Sequence, residues 1–119
     1  MSTTGLKVVD TTVKTTNIWL DDIIDDLRWT DRHKAYEALR AVLHALRDRL
    51  SVDGAAHLAA QLPLLVRGIF YEGWHPGGTP VKERRQEQFI AHVSQAFSRD
   101  PNADPAQITR SVLKVLTKH

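Results

Sequence analysis

The sequence predicts an all-α protein, a compact bundle of about five helices in a single domain. Apolar residues recur three or four positions apart along most of the chain, which is the spacing of a helix face. The segments between these runs carry residues that cap or end helices. A chain of 119 residues with 42% hydrophobic and 25% charged residues is long and apolar enough to bury one core.

The first two predicted helices cover residues 6–28 and 31–50. The β-branched run Val8–Val13 has the composition of a strand, but its apolar spacing continues in helical phase into the following residues. Thr30 is the predicted N-cap of the second helix. The predicted buried face of the second helix consists of Ala35, Leu39, Val42, Leu43, Leu46 and Leu50.

The third predicted helix begins after Ser51, its N-cap, and continues to about residue 70. Pro63 lies inside this run. Proline has no N–H to donate, and its ring clashes with the carbonyl group four residues earlier. We therefore expect the third helix to be kinked or broken at Gln61–Leu62.

The last two predicted helices cover residues 80–98 and 105–118. The stretch HPGGTP forms the turn before the first of them, with Thr79 as N-cap and Pro80 at the first helical position. Asp104 and Pro105 take the same two roles for the last helix.

An internal repeat relates the two halves of the chain with a constant offset of 70 residues. RAVLHAL at 40–46 matches RSVLKVL at 110–116. The apolar residues Trp19, Leu20, Ile23 and Leu27 match Phe89, Ile90, Val93 and Phe97. This pattern predicts a three-helix unit, residues 1–75, and a partial second unit of two helices, residues 76–119, related by a pseudo-twofold axis. The alternative is that two amphipathic hairpins align through their common period alone.

The partial second unit has a consequence for the surface of the protein. Without a third helix, it is expected to leave an apolar groove beside the last helix. A twofold dimer is the commonest way to cover such a groove, so a homodimer is one expectation for the partner.

Composition excludes several function classes. The net charge is 16 − 14 = +2, too small by itself to indicate a nucleic-acid-binding surface. The chain has no cysteine, which excludes disulfides, thiolate zinc sites and cysteine nucleophiles. The N-terminal residues lack the pattern of a secretory signal, and Gln61, Pro63 and Arg67 interrupt the longest apolar tract. We therefore expect a cytoplasmic protein with no membrane association.

The acidic stretch LDDIIDDL is the candidate for metal chemistry. Asp21 and Asp25, and likewise Asp22 and Asp26, lie on adjacent turns of one helix face. Carboxylates at this spacing are suited to Mg²⁺ or another hard cation, so a metal-dependent enzyme or a small-ligand binder is one alternative function. Helical metal sites, however, use carboxylates from facing helices, and no second acidic helix is present. The competing interpretation is a solvated acidic face paired with lysine and arginine.

Basic residues supply a second alternative, weak binding of nucleic acid. His33, Arg40, His44 and Arg47 share one stripe of the second helix, and Lys82, Arg84 and Arg85 lie in the first turns of the fourth. Such a stripe is more often the solvated side of an amphipathic helix, and the third helix is too apolar to read DNA. The sequence therefore does not favour nucleic acid as a partner.

The segment from Arg67 to Arg85 is the candidate interaction surface. It combines the aromatic and arginine residues that dominate interface energetics. Its members are Arg67, Tyr71, Glu72, Trp74, His75, Arg84 and Arg85. The competing interpretation is that Tyr71 and Trp74 close the end of the bundle, with Arg67 paired to Glu72.

Several of these segments resemble a known family. The helix LRAVLHALRDRL, the segment AAHLAAQLP, the turn VRGIFYEGW and the helix led by Phe89 are similar to the signature of domain of unknown function 2267. The resemblance implies an all-helical bacterial protein of the cytoplasm. It implies no activity, catalytic residue or cofactor.

Together these observations predict a non-enzymatic protein-interaction or regulatory module. No nucleophile and base, phosphate-binding loop or histidine metal motif is present in the sequence. The expected partner is a second copy of the chain or another protein, and no cofactor is expected. The acidic face and the basic stripe remain the two alternatives.

Overall fold

The computed structural model describes residues 4–78 and 85–119 of the chain. Within these residues, the protein forms α-helices and one short 3-10 turn, Pro76–Gly78, and no strand. The helices are α1 Lys7–Leu27, α2 Arg32–Arg49, α3 Val52–Ala59, α4 Leu64–Tyr71, α5 Gln86–Ala96 and α6 Pro105–Lys118. The predicted all-α class is confirmed, and residues 4–78 and 85–119 contain six α-helices because the third predicted helix is divided.

Helix α1 is continuous through the β-branched run, as the helical phase of the sequence predicts. It buries Thr16, Trp19, Leu20, Ile23 and Leu27 on one face. Arg28 then adopts a left-handed conformation with φ of 57°, and its N–H donates to the Ile24 carbonyl oxygen. This αL cap satisfies a carbonyl group in the last turn and ends the helix.

Helix α2 lies at the centre of the fold, against α1, α4, α5 and α6. Its N-cap is Asp31, and the predicted cap Thr30 is wrong by one residue. The Asp31 carboxylate accepts hydrogen bonds from the N–H groups of His33 and Lys34, and its negative charge suits the positive end of the helix dipole.

The predicted buried face of α2 is only partly correct. Leu39, Val42 and Leu43 are fully buried, but Leu46 and Leu50 are half-buried. Neighbouring helices instead cover a second side of α2, where small residues allow close approach. This side carries Ala38, Ala41 and Ala45 together with the polar residues His44 and Arg47.

Pro63 divides the third predicted helix, as expected. Helix α3 ends at Ala59, and α4 begins at Leu64 with Pro63 in the N-cap position. The break leaves backbone groups that other side chains satisfy. The Leu65 N–H donates to Thr12 Oγ1 at 2.8 Å, which attaches the start of α4 to α1. The Arg67 guanidinium donates to the carbonyl oxygens of Ala59 and Leu62.

The last two helices differ in how well the sequence predicts their starts. Helix α5 begins at Gln86, later than expected, because Arg85 is still extended and its N–H donates to Gln88 Oε1. The predicted cap Thr79 and first residue Pro80 lie outside the described residues. Helix α6 has the predicted start, with Pro105 at its first position and the Asp104 carboxylate as the cap.

The helices pack as two antiparallel hairpins with an additional pair on one side. Helices α1 and α2 form the first hairpin, and α5 and α6 form the second. Helix α1 also lies against α6, and α2 against α5, while α4 packs on α1 and α2. In the part of the chain that the structure describes, no helix combines the length and apolar character needed to cross a bilayer.

Candidate interaction surface

The aromatic residues of the segment from Arg67 to Arg85 belong mainly to the core. Tyr71 and Trp74 are half-buried, and their rings lie 5.3 Å apart between centroids. Tyr71 also contacts the fully buried Phe70 edge-on at 5.5 Å. Both aromatic residues pack against the main hydrophobic cluster. They therefore close the end of the bundle more than they offer a free surface.

The expected pairing of Arg67 with Glu72 is wrong. Glu72 accepts a hydrogen bond from Arg40 Nε at 2.6 Å, which lowers the pKa of its carboxyl group. Arg67 instead donates to the carbonyl oxygens of Ala59 and Leu62, at the break between α3 and α4. His75 and Arg85 are exposed, and Arg84 lies outside the described residues.

Only half of the basic stripe of α2 is solvated, because His33 and Arg40 are exposed whereas His44 and Arg47 are buried. His44 is buried, and its Nε2 lies 2.7 Å from the Ile69 carbonyl oxygen. Arg47 is only 5% exposed and donates to the carbonyl oxygens of Phe70, at 3.0 Å, and Glu72, at 2.7 Å. These two side chains hold the C-terminal end of α4 on α2. They are therefore unavailable to nucleic-acid phosphates.

His44 provides a prediction for the pH dependence of stability. Burial lowers the pKa of His44 below its ordinary value of 6.5, so the unfolded chain binds more protons than the folded chain as the pH falls below that value. We expect the free energy of unfolding to fall between pH 7 and pH 5.5. His44→Gln, which keeps a donor for Ile69, should reduce this pH dependence in urea titrations.

The exposed His57 on α3 supplies the matched control for that measurement. His57→Gln should leave the pH dependence as in the wild type. An equal reduction in both variants would contradict the assignment to His44.

The acidic face of α1 forms an ion-pair seam with α6. Asp22 contacts His119 Nε2 at 2.7 Å and Lys118 at 3.5 Å, and Asp26 accepts from Lys114 at 2.8 Å. The bond to His119 lowers the pKa of Asp22, and the bond to Lys114 lowers that of Asp26.

The other two carboxylates of this face do not complete a cation site. Asp21 pairs with Arg32 of α2, and Asp25 is exposed. Among residues 4–78 and 85–119, no group of three acidic or histidine side chains could hold a metal ion. The arrangement therefore matches the competing interpretation of LDDIIDDL, an acidic face paired with basic side chains, and the sequence did not indicate that the partners come from α6.

An open groove of about 390 Å³ lies between α5 and α6. Its apolar lining consists of Phe89, Ile90, Ala106, Leu113 and the methyl-bearing Thr109. Leu113 is 38% exposed, so the groove leaves part of this apolar side chain in contact with water.

Arginine residues form the polar edge of this groove. Arg49, Arg85 and Arg110 all contribute to its lining, and no acidic residue does so in the part of the chain that the structure describes. The Arg49 guanidinium also lies 5.3 Å from the centroid of the Phe89 ring, which fixes it beside the apolar floor. An apolar floor with a positive edge suits an apolar ligand that carries negative charge.

Sequence reasoning named Arg85 as an interaction candidate but missed Arg49, Arg110 and Leu113. The repeat contained a usable signal, because it pairs Arg110 with Arg40 and Leu113 with Leu43. It could not show which member of each pair is covered, since coverage depends on where α4 packs.

Comparison with known proteins supplies the family but no activity. No curated protein matches the chain. Residues 16–119 match the family described as "Uncharacterized conserved protein (DUF2267)", and this match includes α2 to α6 and most of α1. The resemblance of the central segments is confirmed, and the chain belongs to the DUF2267 family.

Proposed function

We propose that the protein is a non-enzymatic protein-interaction module and that the α5–α6 groove is its docking surface for a helix of another protein. The observation that carries this proposal is the exposed Leu113 within an apolar groove edged by arginine. Contiguous apolar surface on a folded protein is typical of interaction sites, and arginine is enriched at their energetic centres. The absence of cysteine suits the proposed setting, the reducing cytoplasm.

The other surfaces support this role less well. Arg67, Tyr71, Glu72 and Trp74 are engaged in contacts within the fold. A second groove of about 570 Å³ lies between α1 and Pro63–Leu64. Five of its seven lining residues, Lys7, Val8, Thr11, Thr12 and Thr15, precede residue 16, where the family match begins. A function shared by the family is therefore better served by the α5–α6 groove.

Site-specific photo-crosslinking in the native host tests the proposal. A photo-reactive amino acid in place of Leu113 is expected to give one discrete heavier adduct. The same amino acid in place of Val13, which is 44% exposed on α1, is the matched control and should give none. Gln86→Trp, an exposed change that fills the groove, should remove the adduct.

The mass of the adduct identifies the occupant. An adduct of twice the chain mass would show that a second copy of this chain, rather than another protein, occupies the groove. Equal adducts from positions 113 and 13, or an adduct that persists with Gln86→Trp, would contradict docking in the groove.

A further inference from the structure

We propose that the α5–α6 groove receives an amphipathic helix with the chemistry of α4 and with an acidic residue that reaches Arg110. This inference rests on the proposed function, because it specifies the partner of the same groove. It follows from comparing two surfaces of this chain. One is the face of α1 and α2 that α4 occupies, and the other is the open face of α5 and α6.

The proposed repeat relates the two surfaces, so that each position on one corresponds to a position 70 residues away on the other. The hairpins contact each other so that α1 lies against α6 and α2 against α5. An aromatic contact recurs under this exchange. Trp19 stacks on His119 at 5.6 Å between ring centroids, and Phe89 lies under the Arg49 guanidinium at 5.3 Å. Phe89 is 70 residues after Trp19, and His119 is 70 residues after Arg49. These contacts support the proposed pseudo-twofold repeat.

In the first hairpin, α4 occupies one stripe of α2. Arg40 donates to the Glu72 carboxylate at 2.6 Å, and Arg47 donates to the Phe70 carbonyl oxygen at 3.0 Å. Leu43 lies between these two arginines on the same face, because residues three, four and seven positions apart share a helix face. Its side chain is 0% exposed. The end of α4 therefore neutralises Arg40, and the leucine one turn further along this face is buried.

The equivalent stripe of α6 carries the same two residue types without this cover. Leu113 corresponds to Leu43, and it is 38% exposed. Arg110 corresponds to Arg40, is exposed, and forms no ion pair with any residue in the ranges 4–78 and 85–119. Both residues line the groove. The second hairpin thus retains the leucine and the exposed cation of this stripe, whereas the donors His44 and Arg47 of α2 correspond to Lys114 and Thr117 in α6.

The chemistry of α4 specifies the occupant. Helix α4 buries Val66, Ile69 and Phe70, and Glu72 follows two residues later. The partner helix should therefore carry apolar residues at positions i, i+3 and i+4 and an acidic residue near i+6. The three arginines at the groove edge favour additional acidic residues on its flanks, because complementary charge promotes association.

A labelled peptide of residues 51–75 of this chain is the probe for the test, because it contains α3, α4 and Glu72. Fluorescence anisotropy is expected to show saturable binding to the intact protein. Arg110→Glu should weaken this binding at least about tenfold, because it places two like charges opposite each other at the interface. A peptide with Glu72→Arg should bind wild type weakly and should recover affinity for the Arg110→Glu protein.

Arg40→Glu is the matched control, since Arg40 is the equivalent residue in the occupied seat. It should leave the affinity of the peptide unchanged. Equal weakening by Arg40→Glu would mean that the peptide displaces α4 rather than filling the groove, and would overturn the inference. Equal binding to wild type and Arg110→Glu would also overturn it.

The crosslinking experiment separates failure of this inference from failure of the proposed function. If position 113 still yields a groove-dependent adduct but the peptide does not bind, the groove receives a partner of another kind. If neither the crosslinked adduct nor peptide binding is observed, the α5–α6 groove is not a docking surface.

Discussion

Leu43→Asp is expected to abolish folding, whereas Leu113→Asp is expected to leave a folded protein. The proposed repeat makes the two leucines equivalent positions of α2 and α6, but their exposed fractions are 0% and 38%. Burying an unpaired carboxylate costs several kcal/mol, against a total stability of roughly 5–15 kcal/mol for a domain. At Leu113 the carboxylate remains in water, so the change in stability should be within about 1 kcal/mol.

Circular dichroism during thermal unfolding decides this comparison. A cooperative transition near that of the wild type in Leu43→Asp would refute the burial of this position. Loss of the transition in Leu113→Asp would show that the groove is closed in solution. Leu46→Asp, which the predicted buried face would make equally severe, should have an intermediate effect because Leu46 is half-buried.

Arg47→Met is expected to lower the free energy of unfolding by about 2–4 kcal/mol, because it leaves buried carbonyl groups without donors. Arg47 is 5% exposed, and its guanidinium bonds to the carbonyl oxygens of Phe70 and Glu72 at the end of α4. Its Nε also pairs with Asp48 at 2.8 Å. The methionine side chain fills similar volume, so the loss reports mainly the hydrogen bonds. Urea titration measures it.

Arg40→Met is the control for this prediction, because Arg40 binds the same end of α4 from an exposed position. An exposed ion pair is screened by water and contributes little to stability. The prediction fails if the two variants lose equal stability, since the buried bonds of Arg47 would then contribute no more than the surface pair.

Helix positions were predictable wherever local chemistry determines them. The apolar phase of α1 outweighed its β-branched composition, because the stripe that packs on the core continues through residues 16–27. Pro63 ended its helix because proline lacks an N–H donor and its ring clashes with the preceding turn. Asp104 and Pro105 likewise predicted the start of α6 correctly. The start of α2 was misplaced because Thr30 and Asp31 are adjacent residues that both cap well.

The partners of the charged side chains were not predictable, because they depend on tertiary packing. Glu72 bonds to Arg40, 32 positions away, rather than to its neighbour Arg67. His44 and Arg47 have the spacing of a solvated stripe, but α4 covers them and uses them as donors. The groove residues were likewise not predictable, because the sequence does not show which of two corresponding residues in the proposed repeat is covered by a helix.

The ion-pair seam between α1 and α6 can form only after α6 has been synthesised. Lys114 lies 88 positions after Asp26, and His119 lies 97 positions after Asp22. During synthesis, the acidic face of α1 and the ring of Trp19 therefore emerge long before their partners exist. Contacts of this sequence separation form late and slow folding. Helix α1 is therefore synthesised well before it can complete its packing, and α2 and α4 must shield its apolar face until residues 105–119 arrive.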